Sequence, residues 1–142
     1  MIGVTLFRFA DETITKELFK ENEIPEKLIA FRLHEWFLSH YFPEYVALDR
    51  QNQTAIKGFP DFHLIHNSTG KEIFVEFKNS EDGLRKEQLE FVYKHKDQCF
   101  VIFYERIKSE YEIDKFQKLI ENFKKMQIES IDNIQRIMKE NP

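Results

Sequence analysis

The sequence is short of the residues that staple or interrupt a chain. One cysteine in 142 residues, Cys99, excludes a disulfide framework and any zinc site built from several thiolates, and it suits a reducing compartment. Four glycines and four prolines leave no linker, repeat or low-complexity tract, so they act as local breaks. No charge-free run approaches the roughly 20 residues that a membrane-spanning helix needs. The start, Met1-Ile2-Gly3-Val4-Thr5-Leu6-Phe7-Arg8, lacks the basic region and long apolar stretch of a secretory leader. Positive charge is in deficit too: 21 Lys plus Arg face 25 Asp plus Glu, a formal charge of −4. This excludes a binder that wraps nucleic acid with an overall basic surface, and leaves room for one with a local basic face.

What is present is apolar and aromatic. Hydrophobic residues make up 42% of the chain and aromatics 15%, enough to argue against wholesale disorder. The expectation is a single domain over 1–142, soluble and intracellular, cytoplasmic by default and without a membrane partner.

Ile2 to Phe9 alternates loosely and reads as a strand. Asp11 to Asn22 reads as a weak helix. Pro25 suits a first helical turn and opens a stronger helix to about Tyr41, with Ile29, Leu33, Trp36, Phe37 and His40 on one stripe. Tyr45 to Leu48 reads as a short strand and Asp49 to Gly58 as a loop. Asp61 to His66, the tetrapeptide Asn67-Ser68-Thr69-Gly70 and Glu72 to Lys78 read as a β-hairpin. A turn over Ser80 to Gly83, a helix over Leu84 to His95 and a buried strand from Cys99 to Tyr104 follow. Ile113 to Met138 is helical, with a phase break near Gln127 that predicts two helices or a kink. The order predicts an α/β sandwich around a mixed sheet with flanking helices.

Chemistry concentrates on the hairpin. Alternation along a strand points Glu76 and Lys78 to one face and Val75 and Phe77 to the other. Pairing through the Asn67 to Gly70 turn brings Asp61 toward both. Two carboxylates and an ammonium on one sheet edge suit a hard divalent cation, which takes one or two carboxylates and keeps waters for a phosphate to displace. An acid two before a lysine is cheap, and Glu76-Phe77-Lys78 is the one such triplet in the chain. Its weight comes from context: an apolar strand, a Pro60-Asp61 opening the partner strand, and a helix after it. A solvated sheet face with a weak surface ion pair is the plain alternative.

These residues resemble the PD-(D/E)XK nuclease superfamily. Pro60-Asp61, Glu76-Phe77-Lys78 and Gln88 carry the resemblance, which is nearest to the virus-type replication-repair (VRR-NUC) nuclease domain and more distant from archaeal Holliday-junction resolvases. The order of elements is a helical Glu (Glu35), Gly58-Phe59-Pro60-Asp61, a hairpin, Glu76-Phe77-Lys78 and Gln88. It covers roughly 27–104, leaving the helices expected over 112–140 to pack on the core or to dimerise. No Arg-Lys-Gly stands near the start as in the resolvases, which disfavours that subfamily.

The resemblance implies a restriction-endonuclease-like sandwich and a DNA endonuclease of replication, repair or recombination. It implies Mg²⁺ or Mn²⁺ held by Asp61, Glu76 and the backbone carbonyl of Phe77, with Glu35 as a further acid. Lys78 would activate water, Gln88 would support the site, and the ends produced would be 5′-phosphate and 3′-hydroxyl. Glu35 has a plainer reading, a helix-surface partner of Arg32. DNA, duplex, flap or branched, is the expected partner, along with a second copy in a homodimer. Arg85 and Lys86 at a helix N-terminus, Lys57 and His63 are the candidate nucleic-acid contacts, although for His63 a solvated strand position is the stronger expectation. His34, His40 and His95 read as surface or packing residues, and Cys99 as a small core residue. A non-catalytic nucleic-acid-binding or assembly subunit and an RNA-directed nuclease are the alternatives.

Overall fold

The computed structural model describes residues 1–20, 23–24, 30–48, 60–78 and 84–140. The expected loop over Asp49 to Gly58 and turn over Ser80 to Gly83 lie outside these residues, as does Lys57. The chain begins with a hairpin: β1 (Ile2–Arg8) pairs antiparallel with β2 (Ile14–Phe19), Ile2 opposite Phe19 and Phe7 opposite Ile14. The helix expected over Asp11 to Asn22 is thus corrected to a turn and a strand. In the turn the Asp11 carboxylate accepts hydrogen bonds from the Thr13 N–H and hydroxyl, and Glu12 takes a left-handed φ of 58°. A free edge on β1 and the burial of Phe19 edge-on to Trp36 override a weak helical pattern.

α1 (Ala30–Tyr41) buries Leu33, Phe37 and Leu38. Its expected beginning at Pro25 falls outside the described residues. β3 (Tyr45–Ala47), β4 (Phe62–His66) and β5 (Glu72–Lys78) pair antiparallel in turn. The turn between β4 and β5 is built as its sequence suggests. His66 Nδ1 accepts the Ser68 and Thr69 N–H groups, and Gly70 sits at φ +72°, which a side chain would strain. α2 (Lys86–Lys94) and a short 3₁₀ turn (Lys96–Gln98) cross to β6 (Cys99–Arg106), which runs parallel to β5. β6 also pairs antiparallel with β1, giving one six-stranded mixed sheet in the order β2-β1-β6-β5-β4-β3.

α3 (Glu110–Glu140) is one continuous helix, which corrects the expected break. Its buried stripe runs Phe116, Ile120, Phe123, Gln127, Ile131, so Gln127 occupies an apolar slot without disturbing the phase. The two faces of the sheet carry separate cores. Leu33 and Phe37 of α1 pack with Phe62, Leu64, Val75, Phe77 and Ile102 on one face. Leu89 and Val92 of α2 and Phe116, Ile120 and Phe123 of α3 pack with Phe74, Val101 and Phe103 on the other. The chain is therefore an α/β sandwich with helices on both faces of its sheet. No helix among the described residues is long and apolar enough to cross a membrane.

Candidate active site

β5 and β6 are parallel, and the sheet end at which they finish is also where β4, running the other way, begins. The C-terminal end of β5 brings Glu76 and Lys78 to this end of the sheet, the start of β4 brings Asp61, and the first turn of α2 brings Gln88. Crevices at the carboxyl ends of parallel strands are common ligand sites in α/β proteins.

Asp61 and Glu76 are locked together reciprocally. The Asp61 N–H donates to Glu76 Oε2 (3.0 Å), and the Phe77 N–H donates to Asp61 Oδ2 (2.9 Å). Gln88 completes the arrangement. Its amide nitrogen donates to Glu76 Oε1 (2.9 Å), while its carbonyl accepts the Arg85 N–H (2.9 Å). One buried side chain thus caps α2 and fixes the rotamer of the central acid. Lys78 Nζ lies 4.0 Å from Glu76 Oε1, with both side chains largely buried (14% and 11% exposed).

The electrostatics follow from that burial. Glu76 is pushed up to about 7, first by desolvation and then by the charge of Asp61; the Asp61 N–H and the Lys78 ammonium pull it back only in part. Burial of Glu76 beside the Asp61 charge therefore favours a proton on Glu76 or a cation next to it. Among the described residues no cluster of three or more His, Cys, Asp or Glu forms a cage. The two carboxylates are instead a sparse oxygen set of the kind that suits Mg²⁺, which retains waters.

The other candidates are placed as follows. Arg85 and Lys86 are exposed at the α2 N-terminus, beside the Gln88 cap. His63 is buried rather than solvated: its ring stacks on Phe74 and Nε2 lies 2.9 Å from Glu72, a placement that disfavours direct contact with nucleic acid. Glu35 is not brought to the acidic pair. It stands on α1, over the opposite face, 4.0 Å from Arg32, lining a groove with Leu38, Phe42 and Tyr45. Cys99 is buried and its thiol is pushed up to about 12 by desolvation, so it packs and does not react.

Two residues meet on the α1 face of the same sheet end, and one of them, His34, packs as the sequence suggested. His34 of α1 stacks on the Phe77 ring (centroids 3.9 Å apart, planes 8°), and its Nε2 is 2.9 Å from the Tyr104 hydroxyl. The charge of Asp61 bears on both. Burial lowers His34 and Asp61 partly opposes that, while burial and Asp61 together raise Tyr104. No local motif marks either residue, because their meeting depends on the order of the strands. Compared with protein-family models, curated proteins and solved structures, the chain matches none.

Proposed function

We propose that the chain is a metal-dependent nuclease that hydrolyses phosphodiester bonds in DNA, with a restriction-endonuclease-like sandwich as its fold. The observation that carries the proposal is the reciprocal Asp61–Glu76 lock, half-buried, oriented by the buried Gln88 and faced by Lys78. A structural ion pair needs one acid and one base; this arrangement sets two acids beside one lysine, so a bound cation would relieve the repulsion that raises Glu76. The order α1, β3, β4, β5, α2, β6, with β5 parallel to β6, supports the same reading.

Asp61, Glu76 and the Phe77 carbonyl would hold Mg²⁺ or Mn²⁺. When bound, such an ion polarises the phosphate and acidifies the attacking water. The chain's own groups do the rest. Gln88 keeps the Glu76 carboxylate aimed while its charge is being neutralised. Lys78 donates a hydrogen bond to the attacking water or to a phosphate oxygen, and its ammonium offsets charge that develops there. Arg85 and Lys86, with the N–H groups of the α2 N-terminus, hold adjacent phosphates. A second copy, meeting the first through the exposed Met126, Ile137 and Met138 of α3, would set two such sites on one substrate.

The test is cleavage of single-stranded, duplex, flap and four-way-junction DNA, and of RNA, with Mg²⁺, Mn²⁺ or EDTA. Sedimentation of the active species scores the dimer. Asp61→Asn, Glu76→Gln and Lys78→Met are each expected to lower cleavage on the order of 10²-fold or more. Activity that survives all three substitutions overturns the assignment. Metal-independent DNA binding without cleavage would favour a non-catalytic subunit, and cleavage of RNA alone would move the substrate class.

A further inference from the structure

Glu76 faces α2 through Gln88, and the opposite face of the same sheet end, toward α1, is built differently. There the wall is aromatic: Phe62, Phe77 and Phe37 line it, and His34 and Tyr104 are its polar members. His34 lies flat on Phe77, whose own N–H holds Asp61 Oδ2. Its edge meets Phe62, the residue after Asp61, with ring centroids 6.3 Å apart. Tyr104 stands near the C-terminal end of β6, at the sheet end that carries Lys78. The imidazole and the phenol are both only partly buried.

Resting on the nuclease reading, we propose that His34 and Tyr104 form a neutral donor pair that contacts a phosphate oxygen of the nucleic-acid strand on the α1 side of Asp61. The hydrogen-bond arithmetic allows it whichever tautomer is present. If the Tyr104 O–H donates to His34 Nε2, the imidazole proton sits on Nδ1 and is a donor to spare. If His34 Nε2–H donates to Tyr104, the phenol O–H is the spare donor. Either way a donor remains after the 2.9 Å contact between them is made. Neutrality has a purpose at this position. A lysine or arginine here would pair with Asp61 and compete for the carboxylate that the cation needs. An imidazole and a phenol grip an anion without that competition.

Two conservative variants separate contact from packing. Tyr104→Phe removes one hydroxyl and keeps the ring. His34→Phe keeps a ring on Phe77 and removes both nitrogens, while His34→Gln restores a donor. Steady-state cleavage with Mg²⁺, thermal melting, and fluorescence anisotropy of a labelled single-stranded DNA probe are measured on the full chain. Tyr104→Phe and His34→Phe are expected to raise KM about tenfold or more, with kcat changing far less, and to weaken probe binding in parallel. His34→Gln is expected to recover part of the loss. Unchanged KM and probe affinity in folded Tyr104→Phe, with wild type still cleaving, overturn this inference and leave the nuclease reading in place. A fall in kcat alone also overturns it, because the pair would then act through Asp61. If wild type cleaves nothing, the nuclease reading fails, and probe affinity decides the pair by itself: weaker binding by Tyr104→Phe supports the contact and equal binding overturns it.

Discussion

Glu76 is the side chain on which most of the site's physics converges. Its carboxyl is ordinarily near 4.5 and is raised to about 7 in the folded chain. Between these values the folded protein holds a proton that the unfolded chain has released, so the folded state binds more protons. Stability without divalent cation must therefore fall as pH rises from about 4.5 to about 7, by up to about 3 kcal/mol. Denaturant unfolding in EDTA across this range checks the sign, and Glu76→Gln is expected to flatten the slope. The residues responsible were readable to different degrees. Asp61, Glu76 and Lys78 followed from strand alternation across one hairpin, and Gln88 from the resemblance and its place in the next helix. The meeting of His34 with Tyr104 was not readable, because a helix and a strand distant in sequence meet only through the sheet order. His63 misled because alternation gives a side chain's face and not how deeply that face is covered.

Among the elements, the hairpins show where local patterns suffice and where they fail. The β4–β5 turn carries its own instructions in Asn67 to Gly70 and was legible. β2 was not, since its strand form depends on pairing with β1 and on burying Phe19 beneath α1. Gln127 likewise concealed a continuous α3 by standing in an apolar slot. The contact of α3 with β1 is close at one point. A Cβ at Gly3 would meet Ile107 Cδ1 at 2.5 Å and Phe116 Cε1 at 3.1 Å. Gly3→Ala is therefore expected to destabilise the fold by about 1–3 kcal/mol, because Phe116 sits in the packed core and has little room to give. A urea titration that leaves the midpoint unchanged would contradict this packing.

For the whole molecule, the charge deficit has a use. A formal charge of −4 gives no general attraction to nucleic acid. Part of the acidity is placed instead where a cation would neutralise it, at Asp61 and Glu76, with exposed Arg85 and Lys86 at the edge. On the nuclease proposal, recruitment of substrate and loading of metal would thereby be tied to one place.

The pairing of β1 with β6 has a kinetic consequence. Ile2 lies opposite Arg106, so closing this half of the sheet must bring the greater part of the chain around on itself. The acids, the lysine and the glutamine come instead from β4, β5 and α2 or the residues just before them, which follow one another closely in sequence. Loop-closure entropy favours the short closures first. Pulse-labelled hydrogen exchange during refolding is expected to protect the amides that pair β4 with β5 before those that pair β1 with β6, and the reverse order would refute this. The chemical centre would then be the early-folding nucleus, and the amino-terminal hairpin a late clasp that secures it.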